Sequence, residues 1–235
     1  MTKEIHRLEK ISADSWYCRG ANLSTIQYSI RIFDRFMVPG SVLELGPAEG
    51  VATEFLLKKW QDITVVEGSD RFCELLKEKF PQIRVINALF EDFSPQGMYD
   101  NIILGHVLEH VENPVDILSR ARTWLSDHGK IFAAVPNSRS IHRQAAVIMG
   151  LLKQEDELNE TDFHHGHRRV YNPERFRSDF LKAGLNIQIF GGYWLKPVSN
   201  AQIEQTWTEE MLQAFMILGE RYPDIAAENY IVATK

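Results

Sequence analysis

Through its first 137 residues the chain alternates between two hydrophobic periods. Short apolar runs, rich in β-branched residues, occur at Ser41-Val42-Leu43-Glu44-Leu45, Ile63-Thr64-Val65-Val66, Ile83-Arg84-Val85-Ile86, Asn101-Ile102-Ile103-Leu104 and Lys130 to Val135. Between them lie segments whose apolar positions recur every three or four residues. After Gly50, the residues Val51, Ala52, Phe55, Leu56 and Trp60 share one helical face. Asp70 is placed to cap a helix with the stripe Phe72, Cys73, Leu75, Leu76 and Phe80, which Pro81 cannot continue. Asn113-Pro114 opens a further helix with Val115, Ile117, Leu118, Ala121 and Leu125 inward, and Gly129 lies just beyond it. Strands alternating with helices predict a parallel sheet wrapped on both faces.

Beyond Asn137 the rhythm loosens. Residues 138–171 read as a long connection with a helix around Ile141 to Leu152, after which Asn172-Pro173-Glu174 starts another helix that runs to Gly184. An apolar run over Leu185 to Phe190 precedes Gly191-Gly192. A second insertion, 193–226, holds a helix near Thr208 to Leu218, and Tyr230 to Thr234 reads as a last strand. At the other end, Trp16-Tyr17-Cys18-Arg19 leads into a helix with Ile26, Ile30 and Phe33 inward, so residues 1–37 are expected to form a helical cap. With no repeat or Gly/Ser linker to divide it, the chain is expected to be one domain, 1–235, with two insertions that cover the active site.

Composition narrows the class. The 235 residues are 44% hydrophobic and 25% charged, ordinary globular usage that excludes a disordered or fibrous chain. The charged start and the lack of any apolar run near ~18 residues predict no signal peptide and no membrane span, hence a cytoplasmic protein. Cys18 and Cys73 share no metal-ligand spacing and suggest no disulfide framework. A net charge of -6 argues against a polyphosphate partner, so nucleic acid is not the expected substrate.

The first strand ends in Glu44-Leu45-Gly46-Pro47-Ala48-Glu49-Gly50 and passes straight into a helix. Glycines at such a turn let the backbone approach a ligand, and the helix start offers free N–H groups. The dinucleotide pattern Gly-x-Gly-x-x-Gly fails here, since Ala48 and Val51 occupy two of its three positions. Glu67 closes the second strand about 20 residues after Gly46, where an acidic side chain can accept both hydroxyls of a ribose. With no Lys or Arg in the turn, and with Glu44 and Glu49 flanking it, the loop suits a cationic amino-acid tail better than a pyrophosphate.

Glu44-x-Gly46-x-x-x-Gly50, Glu67 and Leu108-Glu109-His110-Val111 together resemble the class I S-adenosylmethionine-dependent methyltransferases. The resemblance is close over residues 38 to 137. It implies a Rossmann-like α/β fold: a seven-stranded, mostly parallel sheet with helices on both faces and an antiparallel last strand. It also implies S-adenosyl-L-methionine as cofactor and S-adenosyl-L-homocysteine as product. The residues carried over to the cofactor are Tyr17, Glu44, Gly46, Pro47, Ala48, Gly50, Glu67, Gly68, Leu89, Phe90, Glu91, Gly105 and His106. Two positions depart from the family pattern. Ala48 replaces a middle glycine, and Leu89 stands where an aspartate usually meets the adenine, which leaves the Phe90 backbone with Glu91 or Asp92 for that contact.

Methyl transfer is an in-line displacement that needs positioning, dryness and, for a hydroxyl acceptor, a base. His106, at the end of the fourth strand, is one candidate base; stacking on the cofactor is an equal alternative. The other candidates lie in Asp162-Phe163-His164-His165-Gly166-His167-Arg168-Arg169. His165 and His167 are read as bases, and Arg143, His164, Arg168, Arg169 and Tyr171 as acceptor contacts, because Arg offers a bidentate fork to an anion. The plainer reading of that stretch is a solvated loop. A metal site made from its histidines and Asp162 ranks third, since adjacent side chains on a strand diverge, and no metal ligand is assigned. The expected function is methylation of a small molecule, at an oxygen of an anionic or sugar-like metabolite. The alternatives are an RNA or protein methyltransferase of the same fold and a non-catalytic cofactor-binding relative.

Overall fold

A computed structural model describes residues 3–235, so the first two positions of the expected cap 1–37 lie outside the described residues. Seven strands, β1 (Val42–Leu45), β2 (Ile63–Glu67), β3 (Arg84–Asn87), β4 (Tyr99–Gly105), β5 (Leu125–Pro136), β6 (Asn186–Tyr193) and β7 (Glu228–Thr234), form one sheet in the order β3-β2-β1-β4-β5-β7-β6. All neighbouring pairs are parallel except those of β7, which runs antiparallel to both β5 and β6. The chain order reverses between β1 and β4, and the crevice at their carboxyl ends is where ligands of such sheets bind.

Period-2 alternation explains the two cores. On β1, Leu43 and Leu45 face one side with Ile102, Leu104, Ile131 and Ala133 of the neighbouring strands. Val42 faces the other side with Val65, Ile103 and Phe132. The first side is covered by α5 (Pro114–Trp124) and α8 (Pro173–Lys182), the second by α2 (Gly20–Asp34), α3 (Val51–Leu56) and α10 (Glu209–Gly219). α4 (Asp70–Lys79) completes the edge near β3, and α1 (Lys3–Ala13) packs against it. No helix among the described residues is long and apolar enough to cross a membrane.

Three details differ from the sequence expectation. Ser69 caps α4 by accepting from Phe72 N, and Asp70 is the first helical residue. The helix after Ser140 is α6 (Ile141–Ile148), and the chain leaves it through Gly150 in the left-handed region. Two short helices were not anticipated: α7 (Glu160–His165) and α9 (Asn200–Thr206). Neither has an apolar stripe of useful length; each is started by a reciprocal capping box, Asn159 with Asp162 and Ser199 with Gln202.

Residues 193–226 are tied to the sheet through backbone. Trp194 N and Leu195 N donate to Met216 O and Phe215 O near the end of α10, at 3.1 and 2.8 Å. Gly219 makes this approach possible, because a Cβ there would fall on the backbone nitrogen of Trp194. Gly219→Ala is therefore expected to push α10 off the sheet. The cost should be at least that of overpacking, about 1–3 kcal/mol, and a melt should show a Tm lower by several degrees.

Candidate functional site

The topology brings the carboxyl ends of β1, β4, β5 and β6 and the start of β7 to one edge. β1 ends at Leu45, just before Gly46, and β4 ends at Gly105, both bordering the β1/β4 switch point. Because β7 is reversed, its first residue, Glu228, pairs with Pro136 at the end of β5 and with Tyr193 at the end of β6. Two cavities open along this edge, of about 380 and 310 Å³.

The first cavity lies over β1 and β2 and under α1, whose Leu8 and Ile11 form its roof. Its floor is the glycine turn. Gly46 adopts φ +65°, and a Cβ there would press on Val107 at 3.1 Å. Gly50 is left-handed as well and serves as N-cap of α3, but it supports the turn from behind and does not line the cavity. Ala48 also has a positive φ, 48°, a conformation that its methyl group strains. Its N–H is held by Glu67 Oε2 at 3.2 Å, while Glu67 Oε1 accepts from Ser69 N at 2.9 Å. Glu44 is buried and accepts from Thr53 Oγ1 at 2.7 Å; burial raises its carboxyl to about 7 in spite of that bond.

Of the residues carried over to the cofactor, Tyr17, Glu44, Gly46, Pro47, Ala48, Glu67, Gly68, Leu89, Phe90, Glu91, Gly105 and His106 line this first cavity. Glu49 lines it too, with a buried Oε2 that has no hydrogen-bond partner among the described residues. An orphaned carboxylate oxygen beside a glycine turn fits the ammonium of an amino-acid tail, and the buried Glu67 fits a ribose.

The second cavity continues from the first, and Tyr17, Ile26, His106 and His110 line both. Its walls come from β7, from the 138–171 segment and from Trp194 to Ala201. His106 stands at the join with φ +58°, its Nε2 3.0 Å from Tyr193 Oη and its Nδ1 3.5 Å from Glu109 Oε1 and 3.8 Å from Glu228 Oε2. Burial pulls the imidazole pKa down, but the contact with Glu109 and the two carboxylate charges outweigh it and leave it raised. Burial pushes Glu228 up and Lys196, across the cavity, down.

This cavity is lined by polar atoms that lack partners. Glu109 Oε1 and Oε2, His142 Nδ1, Trp194 Nε1, Asn200 Oδ1 and Glu228 Oε2 are buried with no hydrogen bond among the described residues. Sequence reading missed Tyr193, Trp194, Lys196, Asn200 and Glu228 altogether. The last of these carried a signal: an acidic residue just before the final apolar run, in a strand that must begin at the ligand edge if it is antiparallel.

The histidine-rich segment is held in place internally. His165 and His167 line the second cavity with Arg143. Arg143 Nη1 and His167 Nδ1 both reach the buried Asp162, at 3.3 and 2.9 Å. Burial, reinforced by the neighbouring His167 and His164, lowers His165 to about 4. His164 stacks on Trp16 at 3.6 Å, away from both cavities. Arg168 and Arg169 line neither cavity: Arg168 pairs with Glu4 and donates to His110 O, and Arg169 donates to Leu108 O, Val111 O and Glu112 O. Their forks are spent on loop carbonyls and, for Arg168, on Glu4, which the charge pattern alone could not reveal. Tyr171 is buried against Asp179 at 3.0 Å, far from an acceptor role.

Asp162 is the pin of this segment. Burial raises its pKa, but His167, Asn159 N and Arg143 outweigh that and lower it, so the carboxylate is charged at neutral pH. Asp162→Asn leaves Arg143 without its counterion and His167 without its carboxylate partner; removing one partner of a buried pair costs about 3–5 kcal/mol. A chemical-denaturation curve should show that loss with an unchanged slope.

A family model described as a methyltransferase domain matches residues 24–188, more than half of the chain. Trans-aconitate 2-methyltransferase of Rhodopseudomonas palustris (strain HaA2) is 28% identical over 105 residues, which are 43% of this chain and 41% of that protein. The chain spans at most about two fifths of the length of the first four curated relatives it matches. The CcbJ methyltransferase of Streptomyces caelestis shares the fold at TM-score 0.67, with 13% identity and 99% of each chain covered. The plantazolicin methyltransferase BpumL, solved with a triazolic desmethylPZN analogue and SAH, superposes at TM-score 0.62 with 19% identity, covering 100% of this chain and 99% of that one. The chain belongs to the methyltransferase-domain family and has the Rossmann-like fold of the S-adenosylmethionine-dependent methyltransferases.

Proposed function

We propose that the first cavity binds S-adenosylmethionine and that the second holds a small, hydroxyl-bearing polar molecule, which is methylated on oxygen. The observation that carries this reading is the set of unpartnered buried atoms around one cavity that joins the cofactor cavity at His106. A buried polar atom without a partner costs about 1–3 kcal/mol, so several around one space favour a ligand that supplies the missing bonds. Most of them accept hydrogen bonds, namely the oxygens of Glu109, Glu228 and Asn200, which suits a molecule rich in O–H donors.

When bound, the sulfonium supplies an electrophilic methyl carbon for in-line attack. The chain's part is to fix the acceptor oxygen on the line, exclude water and take its proton. His106 borders both cavities, and its ring is steadied by Tyr193 on one nitrogen and by Glu109 and Glu228 near the other. That makes it the best-placed base; His165, already lowered to about 4, is a weaker one. A net charge of -6 and carboxylates in the acceptor wall disfavour an RNA strand.

Two variants test this reading. Glu67→Ala removes a charged acceptor, so calorimetry should show S-adenosylmethionine bound at least about tenfold more weakly to a folded protein. His106→Gln should lower kcat by about 10²–10⁴-fold with little change in cofactor affinity. The assay is S-adenosylhomocysteine release in a metabolite extract, with the methylated product identified by mass spectrometry. A product methylated on nitrogen would overturn the oxygen assignment, and no turnover with any fraction would favour a non-catalytic binder.

A further inference from the structure

The loop after β4 carries a feature that methyl transfer alone does not require. Glu109 is fully buried, yet neither carboxylate oxygen has a hydrogen bond among the described residues; His106 Nδ1 stands 3.5 Å from Oε1, beyond ordinary hydrogen-bond length. A buried charge in this state calls for a cation. Two imidazoles stand beside it: one ligand atom each of Glu109, His110 and His167 lie within 4.8 Å of one another. Glu109 and His167 line the second cavity, and His110 lines both.

We propose that Glu109, His110 and His167 bind a first-row transition-metal dication at the junction of the two cavities. The set is two imidazoles and one carboxylate on one side of the ion, which leaves positions open toward the acceptor, and nitrogen ligands favour such metals over magnesium or calcium. His167 is oriented as a ligand should be. Its Nδ1 is bonded to Asp162 Oδ1 at 2.9 Å, which leaves Nε2 for the metal and supplies the carboxylate partner that metal-bound histidines usually have. Asp162 is itself fixed by Arg143 and by the cap of α7. Metal–ligand bonds of about 2.0–2.3 Å put donor atoms some 3–3.5 Å apart, so the three groups draw together by roughly an ångström on binding.

The ligands differ from those the sequence suggested. The histidine run with Asp162 ranked only third as a metal site on sequence grounds, with no ligand assigned; of that run only His167 takes part, and its companions come from Leu108-Glu109-His110-Val111. The catalytic consequence rests on the oxygen-acceptor reading above; the binding site does not. A hydroxyl coordinated at an open position is acidified and passes its proton to His106. The oxygen then attacks the methyl carbon, and the carbon–sulfur bond breaks with its electron pair going to sulfur, so the sulfonium becomes a neutral thioether.

The test uses chelator-stripped full-length protein titrated with Co²⁺, followed by visible absorption and calorimetry, with Zn²⁺ and Mg²⁺ as competitors. One Co²⁺ per chain is expected, displaced by Zn²⁺ and not by equal Mg²⁺. Glu109→Gln and His110→Ala, each checked for folding by circular dichroism, should weaken uptake at least tenfold. Absence of stoichiometric uptake by the wild type, or uptake unchanged in both variants, overturns the site. Uptake lost in both variants while turnover ignores the metal upholds the site and removes only its role in hydroxyl activation.

Discussion

The backbone of the loop after β4 lacks enough partners of its own, and three arginines make up the deficit. Arg7 from α1 and Arg168 from the 138–171 segment both donate to His110 O, at 2.9 and 2.8 Å, while Arg169 takes Leu108 O, Val111 O and Glu112 O. Arg168 N also donates to Glu109 O. One short loop is thus the common anchor for the helix that roofs the first cavity and for the segment that walls the second. Arg7 links the two covers directly through Gly166 O. Buried carbonyls must be paired, so the covers and the loop are fixed by the same bonds, and the join between the cavities is fixed with them.

Charge around that join is arranged so that few groups are free to repel. Two carboxylates, Glu109 and Glu228, face His106, and Asp162 is matched by Arg143 and His167. The remaining imidazoles are kept neutral chiefly by burial: His110 is lowered to about 3 and His142 to about 2. Neutral imidazoles beside an unmatched carboxylate form a wall that can accept, donate or ligate. A fully protonated cluster of the kind the His/Arg composition suggests could only donate.

What the sequence disclosed follows from what repeats locally. The strands, the glycine turn and Glu67 could be read because a buried parallel strand and a left-handed turn each impose a residue pattern within a few positions. The short helices α7 and α9 could not, since a six- or seven-residue helix has too few positions to display a stripe and is decided by its cap. Arg168 and Arg169 looked like ligand contacts because charge is visible in a sequence while the carbonyls that consume it are not. Glu228 was overlooked for a different reason: it reaches the site through the reversal of β7, so the acidic residue before the final apolar run points to the ligand edge only once that strand is known to run antiparallel to β5.

Backbone strain marks the same region independently of charge. Among the described residues the non-glycine positions with positive φ are Ala48, His106 and Trp194. Ala48 lines the first cavity, Trp194 the second and His106 both. Such conformations cost on the order of 1–3 kcal/mol each and persist only where the surroundings enforce them. At Ala48 the enforcement is the bond from its N–H to Glu67; at Trp194 it is the paired backbone of α10; at His106 it is the bond from its own N–H to Ala134 O at 2.9 Å, which continues the β4–β5 ladder one residue past the strand. The ladder holds the His106 backbone while the left-handed turn redirects the chain, and that turn sends the ring toward Tyr193 and Glu109 instead of along the sheet. Glycine would relieve the strain at each of the three positions and would forfeit the side chain that lines the cavity.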